Sequence, residues 1–474
     1  MSNGQTKTRV VVIGGGPGGY PAAFYAADLG MDVTLIDLEE NPGGVCLYRG
    51  CIPSKALLHA ARVLHEARDA AEFGITFAKP QIDVDKLRAW KDSVVARLTG
   101  GVGQMRGLRN VKGIQGRARF TGPTSVAIEN AEGKTDSLDF DYAILATGSR
   151  PTMIPLFDIG SERVLDSTSA LDLPEVPKRM LVVGGGYIGL EMTTVYAALG
   201  SKVTVVEMLP QLLPGADKDL VSPVAKSIGN LTEKVMLNTR VTELKEQKSG
   251  LRVTFEDNKG ETTSDMFDRV LVSIGRRPLS ADLGLETTRV VVNDRGFVEI
   301  DTQRRTAEPT IFAIGDVAGD PMLAHKATHE GVVAVEAIAG KKTIFDKRAI
   351  PAVVFTDPEL AWTGLTEAEA KEQGLKVKVS KFPWGASGRA ITLARTDGVT
   401  KIIADPDTER ILGVGITGVN AGDLIAEATL AIEMGATVTD LMLTVHPHPT
   451  LSETLMEAAE VYHGHSPHFF QKKK

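Results

Sequence analysis

The chain has little cysteine and no excess of positive charge. Only 2 of its 474 residues are cysteine, so no framework of several disulfides holds the fold together. Lysine and arginine number 53 against 60 aspartate and glutamate, and the formal net charge is −7. This balance argues against a surface for nucleic acid or anionic membranes, because both need basic clusters. With 43% hydrophobic and 24% charged residues, the composition excludes a collagen, a coiled coil and a disordered chain.

One uncharged stretch, residues 10–27, has the length of a signal peptide or a short membrane helix. Its glycines and prolines make it a poor membrane helix and a good strand–turn–helix segment. We therefore expect no targeting segment, no membrane partner and a cytoplasmic protein.

A strand, a glycine turn, a helix and a second strand follow one another twice in the sequence. In each copy an acidic residue ends the second strand, at the same distance from the first glycine. This pattern is typical of dinucleotide-binding sites, where the glycines allow a tight turn, close approach of the pyrophosphate and close helix packing. Two ordinary βαβ units without a ligand are the alternative. The candidate residues are Gly14, Gly16, Gly19 and Asp37 in the first copy, and Gly184, Gly186, Gly189 and Glu207 in the second.

The acid of the second copy indicates which coenzyme binds there. Glu207 would accept hydrogen bonds from ribose hydroxyls and would repel a 2′-phosphate. The residues that follow, Met208 to Pro210, include no arginine or lysine. The second site therefore favours NAD over NADP.

The two cysteines, Cys46 and Cys51, lie close together in the sequence. As a structural disulfide they would close a loop of about six residues and contribute roughly 2 kcal/mol, which is little for a chain of several domains. As a redox pair they would benefit from a helix N-terminus and from Lys55, which both favour a thiolate. Two cysteines make only half of a structural zinc site. The pattern favours a redox-active disulfide over structural or free thiols.

Apolar periodicity predicts further helices and strands. Thr450 and Glu453 have the spacing of a capping box, with Thr450 as N-cap. His463, His465 and His468 are expected to belong to a flexible tail rather than a metal site. The predicted helices cover 55–71, 85–98, 423–435 and 451–462, and the predicted strands 117–128, 142–146, 251–256, 269–274, 311–314, 353–355, 400–404 and 411–416.

Taken together, these residues resemble the flavoprotein disulfide reductases, and within them the dihydrolipoamide dehydrogenase group. The most specific segments are 43–55, with both cysteines, and His446-Pro-His-Pro-Thr-Leu-Ser-Glu453. The resemblance implies an α/β fold with two Rossmann-like dinucleotide-binding domains, a central domain and an α+β dimerisation domain. The expected domains are 1–150 for FAD and the redox disulfide, 151–277 for NAD, 278–347 as the central domain that completes the FAD site, and 348–474 for dimerisation.

The resemblance also implies roles for individual residues. FAD would occupy the first site and NAD the second. Cys46 would exchange with the substrate, and Cys51 would lie against the flavin. Lys55 would sit by the isoalloxazine ring and pair with Glu191. Further contacts would come from Gly116, Thr147, Gly148, Asp316, Leu323 and Ala324 to FAD, and from Gly275 to NAD.

The C-terminal motif has two interpretations. From the residues alone, Glu453 is a capping residue and His448 is one of nine histidines, more often structural than catalytic. The resemblance implies instead that His448 is the catalytic base, that Glu453 orients it, and that both serve the other subunit of a homodimer.

The implied reaction is the oxidation of protein-bound dihydrolipoamide with reduction of NAD⁺, in 2-oxo acid dehydrogenase complexes. The expected partners are a second copy of the chain, lipoyl domains of the acyltransferase component and, as a further candidate, the H protein of glycine cleavage. One alternative is an NADPH-dependent disulfide or metal reductase of the same fold, against which Glu207 argues. The other is a flavin-bound assembly or redox-sensing subunit, which would not need Cys46, Cys51 and His448 together.

Overall fold

The structure is a computed structural model that describes residues 8–470. These residues form two compact units, each assembled from segments distant in sequence. The first takes in the described residues of Met1–Ala56 together with Asp83–Thr152 and Gly275–Asp346, and the second Leu57–Ile82, Met153–Ile274 and the described residues of Lys347–Lys474. The division into four functional domains stays a prediction.

Strands and helices alternate along much of the chain. The helices are α1 (Gly19–Asp28), α2 (Gly44–Arg49), α3 (Cys51–Asp69), α4 (Val84–Leu108), α5 (Ser167–Leu171), α6 (Tyr187–Leu199), α7 (Lys218–Leu231), α8 (Ala324–Ile338), α9 (Glu367–Glu372), α10 (Gly388–Thr392), α11 (Ala421–Met434), α12 (Val438–Leu443) and α13 (Glu453–His463). The strands are β1 (Arg9–Ile13), β2 (Asp32–Asp37), β3 (Lys112–Gln115), β4 (Arg117–Gly122), β5 (Ser125–Glu129), β6 (Thr135–Asp139), β7 (Tyr142–Leu145), β8 (Ser149–Pro151), β9 (Val164–Leu165), β10 (Arg179–Val183), β11 (Lys202–Val206), β12 (Lys234–Met236), β13 (Thr239–Gln247), β14 (Gly250–Asp257), β15 (Thr262–Phe267), β16 (Arg269–Val272), β17 (Arg276–Pro278), β18 (Ile311–Ala313), β19 (Ala352–Val354), β20 (Glu359–Gly364), β21 (Lys378–Pro383), β22 (Val399–Ala404) and β23 (Ile411–Gly418).

The first unit is built on a parallel sheet with the strand order β18-β7-β1-β2-β3. Its central strand β1 is apolar from Val10 to Ile13 and buried over that length, as expected for a parallel strand covered on both faces. Apolar side chains of α1 and α8 join the core on one side of the sheet. The antiparallel sheet β4-β5-β6 contributes to the core on the other side.

The second unit contains another parallel sheet, the three-stranded antiparallel sheet β13-β14-β15 and a five-stranded antiparallel sheet. The parallel sheet has the order β12-β11-β10-β16-β9, and its central strand β10 is again buried. The five-stranded antiparallel sheet has the order β19-β20-β23-β22-β21, with a core around Trp384 that includes residues of α11 and α13. The expected α/β class is confirmed, and in each of the two parallel sheets a glycine turn follows the central strand.

Helix boundaries differ most from the predictions. The helix expected at 55–71 begins already at Cys51, and the one expected to end at residue 98 continues to Leu108. Four glycines lie in this extension. One of them has a packing role, since a Cβ on Gly103 would lie 2.1 Å from Oδ1 of Asn41, whereas a Cβ on Gly100, Gly101 or Gly107 would meet nothing within 4 Å. Between residues 8 and 470, no helix combines the length and the apolar character needed to cross a bilayer.

Candidate active site

The first glycine turn connects β1 to α1, and two of its glycines have no room for a side chain. Gly14 has a φ of +102°, and a Cβ there would lie 2.3 Å from the carbonyl oxygen of Ala146. A Cβ on Gly19 would lie 1.8 Å from the Gly14 oxygen. For Gly16 the nearest atom to a Cβ is 3.9 Å away, on Gly44. The turn is therefore tight at its ends and open in its middle, as the approach of a pyrophosphate to the backbone requires.

The acid of the first copy is held by backbone amides. The amide of Gly15 donates to Oδ2 of Asp37, and the amide of Glu39 donates to Oδ1 at 2.8 Å. Each carboxylate oxygen can accept a second hydrogen bond. Asp37 is thus fixed in orientation and keeps the capacity to accept from ribose hydroxyls, while the ribose contact itself stays a prediction.

The second glycine turn, between β10 and α6, repeats this geometry. Gly184 has a φ of +107°, and a Cβ there would lie 2.4 Å from the carbonyl oxygen of Ser273. A Cβ on Gly189 would lie 2.2 Å from the Gly184 oxygen, whereas one on Gly186 would meet nothing within 4 Å. Both turns therefore have the shape that a bound dinucleotide needs.

Glu207 follows β11 and is buried. Its Oε2 accepts from the amide of Gly185 at 2.6 Å, and its Oε1 accepts from the amide of Leu209 at 2.8 Å. The carboxylate is fixed as Asp37 is in the first copy. Its negative charge beside the turn suits the hydroxyls of NAD better than a 2′-phosphate.

The two cysteines lie on consecutive helices, one of 6 residues and one of 19 residues. Cys46 is in α2, which ends at Arg49, and Cys51 is the first residue of α3. Gly50 separates the helices with φ −146° and ψ −112°. Both side chains are thiols in this structure, Cys46 half-buried and Cys51 exposed.

The helix with Cys46 begins against the first glycine turn. The amide of Gly43 donates to the carbonyl oxygen of Gly15 at 2.8 Å. A Cβ on Gly44 would lie 2.5 Å from Cα of Gly16, so only glycine allows α2 to approach so closely. The dithiol is consequently built onto the predicted FAD turn.

The hydrogen bond with Cys51, followed by burial, raises the pKa of the Cys46 thiol, and the charge of Lys55 lowers it by less. We expected a helix N-terminus and Lys55 to favour thiolate in this pair. For Cys46 the charge of Lys55 acts in that direction, but in the dithiol form the hydrogen bond with Cys51 and burial act against it and outweigh it.

Several predicted FAD contacts gather at the carboxyl ends of β7 and β18, where ligands of parallel sheets bind. Asp316, in a 3₁₀ turn after β18, accepts from Oγ of Ser149 at 2.5 Å. Thr147 donates to the carbonyl oxygen of Leu279 at 2.7 Å. Gly148 has a φ of +73° and open space where a Cβ would stand.

The other predicted FAD contacts are less informative. A Cβ on Gly116 would lie 2.7 Å from the carbonyl oxygen of Glu129, so packing alone accounts for this glycine. Leu323 precedes α8, and Ala324 is the first residue of that helix. Their roles stay predictions.

Sequence reasoning missed a buried charge network beside Asp316. Glu330 on α8 is fully buried and accepts from the amide of Gly315 at 2.7 Å. Arg304 and Lys326 donate to the same carboxylate at 2.9 and 3.2 Å. The network fixes the backbone just before Asp316. Its only signal in the sequence is a lysine and a glutamate four residues apart, in a segment where no helix was predicted.

His448 and Glu453 are in contact. Nδ1 of His448 lies 2.9 Å from Oε1 of Glu453, and the amide of Thr450 donates to Oε2 at 2.7 Å. Burial raises the pKa of Glu453, but the bonds from Thr450 and His448 outweigh it and lower that pKa. With Nδ1 paired to a carboxylate, Nε2 of His448 is the nitrogen that is left to act as a base.

The predicted capping box is wrong. The helix α13 begins at Glu453, with Ser452 before it, so Thr450 is not the N-cap. Thr450 instead donates from Oγ1 to the carbonyl oxygen of Pro447 at 2.7 Å. Half of the expected reciprocal bonding remains, because Glu453 accepts from the Thr450 amide.

The expectation of a flexible histidine tail is also wrong in part. His463 ends α13, its ring stacks on that of His465, and His468 pairs with Glu457. Residues 471–474, the end of the expected tail, lie outside the described residues.

Other predicted contacts would join the two units and stay predictions. They are the pairing of Lys55 with Glu191, and the contact of Gly275 with NAD. Within the second unit, Glu191 is buried and accepts from the amide of Phe355 at 3.1 Å.

One acidic group among residues 8–470 has the spacing of metal ligands, namely Asp217, Asp219 and Glu367. The ammonium of Lys401 already lies among these carboxylates, 2.8 Å from Asp217 and 3.0 Å from Asp219. The group is thus an ion-pair cluster around a buried lysine.

Two family models match the chain. The one described as pyridine nucleotide-disulphide oxidoreductase matches residues 8–331, and that of the family's dimerisation domain matches residues 350–459. The dihydrolipoyl dehydrogenase of Vibrio parahaemolyticus is 49% identical over 460 residues, 97% of this chain and 96% of the relative.

Solved structures agree with these matches. The crystal structure of LpdA from Mycobacterium tuberculosis has a TM-score of 0.88 at 28% identity, covering 96% of this chain and 99% of that one. The Cu(II) complex of the HOCl-induced flavoprotein disulfide reductase RclA from Escherichia coli has a TM-score of 0.86 at 28% identity, covering 96% and 100%. The chain therefore belongs to the pyridine nucleotide-disulphide oxidoreductase family.

Proposed function

We propose that this chain is a dihydrolipoyl dehydrogenase, which oxidises dihydrolipoyl groups and reduces NAD⁺. It is an oxidoreductase with FAD and NAD as cofactors. The observation that carries the proposal is the placement of the cysteine pair. The helix with Cys46 starts against Gly15 and Gly16 of the first glycine turn, so a dithiol stands beside a dinucleotide-binding turn.

The cofactors would be held by residues of the two turns. Gly14, Gly16, Gly19 and Asp37, together with Thr147, Gly148 and Asp316, would hold FAD, and Gly184, Gly186, Gly189 and Glu207 would hold NAD. When bound, FAD supplies two-electron chemistry between the dithiol and the nicotinamide. The open space over Gly16 and Gly186 supports this assignment, because the backbone must meet a pyrophosphate there.

The chain's own residues carry out the thiol–disulfide exchange. In the oxidised enzyme Cys46 and Cys51 form a disulfide. His448 takes the proton of one substrate thiol, and the resulting thiolate attacks the sulfur of Cys46, which breaks the Cys46–Cys51 bond and releases the Cys51 thiolate. The second substrate thiol then attacks the mixed disulfide, so that the substrate leaves as the cyclic disulfide and both cysteines are reduced.

His448 is needed because a thiol with a pKa of about 8.5 is mostly protonated at neutral pH. Its Nδ1 is bound to Glu453, which orients the ring and stabilises the imidazolium after proton transfer. We assign this base to the cysteine pair of the other subunit in a homodimer. The match of residues 350–459 to a dimerisation domain supports that assignment.

The partners that fit this reaction carry a lipoyl group on a flexible arm. We assign the chain to 2-oxo acid dehydrogenase complexes, with lipoyl domains of the acyltransferase component as donors and the H protein of glycine cleavage as a further candidate. We also propose that this enzyme is located in the cytoplasm.

A coupled assay tests the function directly. The purified protein with bound flavin should reduce NAD⁺ when dihydrolipoamide is added, and NADP⁺ should be a poor substitute. Reduction of glutathione disulfide or a metal ion with NADPH, without dihydrolipoamide oxidation, would contradict the proposal and favour a reductase of the same fold.

A further inference from the structure

The segment that carries His448 is exposed along most of its length, and His446 is the exception. The segment runs from residue 443, where α12 ends, to residue 449, before α13 begins. Leu443 and Val445 are 69% and 92% exposed, whereas the side chain of His446 is only 4% exposed. The buried imidazole of His446 is therefore the anchor of this segment.

Both ring nitrogens of His446 face hydrogen-bond acceptors. Nε2 lies 2.8 Å from Oε1 of Glu427 on α11, and Nδ1 lies 2.9 Å from the carbonyl oxygen of Thr444. A carbonyl oxygen can only accept, and so can an ionised carboxylate. Both bonds form together only when both nitrogens carry a proton. His446 is thus bound to Glu427 through Nε2 and to the carbonyl oxygen of Thr444 through Nδ1.

A second pair of the same kind follows two residues later. Nδ1 of His448 lies 2.9 Å from Glu453. The charge of His446 adds to the bonds from Thr450 and His448 in lowering the pKa of Glu453 against the effect of burial. The two Glu–His pairs are thus joined by a short stretch of backbone and by an electrostatic interaction.

We propose that Glu427 and His446 are positioning residues for His448. Their hydrogen bond holds the exposed segment on α11, while Glu453 holds it on α13, so the imidazole of His448 is fixed from both sides. This inference rests on the proposed function, in which His448 takes the proton of the substrate thiol. His446 and Glu427 act through His448 and are given no contact with the reacting sulfurs.

Two substitutions of His446 separate its two hydrogen bonds. The amide nitrogen of asparagine replaces Nδ1, so His446→Asn keeps the bond to Thr444 and loses the one to Glu427. Glutamine replaces Nε2, so His446→Gln keeps the bond to Glu427. We expect His446→Asn to lower kcat for dihydrolipoamide oxidation by on the order of 10- to 100-fold, as for other small misplacements of a catalytic group, and His446→Gln to recover most of it.

NADH-driven reduction of an artificial dye needs no proton transfer by His448. It should therefore stay at the wild-type level in both variants. Glu427→Ala breaks the same pair from α11 and should lower kcat as much as His446→Asn does. It therefore tests the pair even when His446→Asn does not fold. Glu433→Gln removes an equal charge from α11, at a residue that binds the amides of Arg348 and Ala349, and should behave as wild type.

A double substitution decides whether His446 acts through His448. In a His448→Gln background, His446→Asn should cause no further loss of dithiol turnover, because residues that act as a unit are not additive. An equal loss in both backgrounds overturns the inference, and so does full dithiol turnover by His446→Asn. A wild-type protein that does not oxidise dihydrolipoamide would instead contradict the proposed function.

Discussion

The two glycine turns share one backbone design and differ in what is built upon it. In each, the second of three consecutive glycines, Gly15 or Gly185, donates its amide to the acid after the next strand, Asp37 or Glu207. In each, the carbonyl oxygen of that glycine accepts a backbone amide from a later loop, at 2.8 Å from Gly43 and at 2.9 Å from Leu213. The duplication therefore includes the hydrogen bonds around the turn as well as the order of strands and helix.

The difference begins one residue after these loop amides. In the first copy Gly44 opens α2, which carries Cys46 against the turn, and in the second copy Pro214 follows Leu213 and no cysteine is near in sequence. The same scaffold thus carries a pair of cysteines in one place and only an open glycine turn in the other. The two copies differ in function because only the first is followed by the short helix α2, which carries Cys46.

The largest expected effect comes from removing the feature that only the first copy has. Cys46→Ser should lower dihydrolipoamide turnover by on the order of 10⁴-fold or more, because the electrophilic sulfur for exchange is lost. The flavin should stay bound, since the cofactor residues are untouched. Steady-state NADH formation and the visible flavin spectrum measure both properties. Retained turnover would break the assignment of the dithiol to catalysis.

The second-largest effect is expected from His448, which lies outside both copies and takes the proton of the substrate thiol in the proposed reaction. His448→Gln should lower dithiol turnover by on the order of 10²–10⁴-fold, the usual contribution of a general base. NADH-driven dye reduction serves as the internal control and should be unchanged. Near-normal turnover with dihydrolipoamide would remove His448 from the mechanism.

A matched pair of glycine substitutions sharpens the comparison. An added Cβ at Gly16 or Gly186 meets no protein atom closer than 3.9 Å, so both variants should fold. The methyl group would stand where a pyrophosphate approaches, so Gly186→Ala should raise KM for NAD⁺ about tenfold, or roughly 1.4 kcal/mol, without loss of flavin. Gly16→Ala should instead weaken FAD retention at an unchanged KM for NAD⁺. Equal effects of both variants on both cofactors would contradict the assignment of one cofactor to each turn.

The smallest effect on catalysis is expected from Asp357, a residue outside both glycine turns that serves as a control. Burial raises the pKa of Asp357, but the hydrogen bond with His65 and the charge of Arg395 outweigh it and lower the pKa to about 2. A carboxyl with a depressed pKa stabilises the fold above its ordinary pKa, and this contribution is lost as the pH falls from about 4 towards 2. Asp357→Asn should therefore lower the free energy of unfolding at pH 7 by up to about 2 kcal/mol.

Urea unfolding at several pH values measures this contribution. The difference between wild type and Asp357→Asn should shrink towards pH 3, while KM for NAD⁺ and flavin content stay at wild-type values. A difference that is the same at pH 7 and pH 3 would show that the ion pairs of Asp357 are not its source.

Much of the fold was predictable, because its strongest signals are local. The pattern predicts the strands of the two copies at 9–13, 33–37, 180–183 and 203–207, and each end of β1, β2, β10 and β11 lies within one residue of these bounds. Apolar runs, glycine turns and a terminal acid act over a few residues each, so they can be recognised without knowing the tertiary structure. The helix boundaries were less predictable. The glycines of α4 suggest a helix end near residue 98, but Gly103 serves the close approach to Asn41, which is a tertiary contact.

The candidate site also has a part that could be predicted from the sequence and a part that could not. The cysteine pair, both glycine turns and the acids that follow them were identified from residue type and spacing. The ion pair of Arg304 with Glu330 and the pair of Glu427 with His446 connect residues from different parts of the chain, so no local pattern predicts them. Only Lys326 and Glu330, four residues apart on α8, are neighbours in sequence. The capping box failed because α13 begins at Glu453 rather than just after Thr450, and Oγ1 of Thr450 bonds to the carbonyl oxygen of Pro447.

By itself, the sequence determined the α/β class, the two dinucleotide turns, the dithiol and the preference for NAD, because steric freedom, sulfur chemistry and charge belong to individual residue types. Only the tertiary structure decided that α2 starts on the first turn, that Cys46 shares a hydrogen bond with Cys51, and that the segment of His448 is held by two carboxylates. These properties depend on which elements pack against one another, and packing is settled by the whole chain rather than by neighbours in sequence.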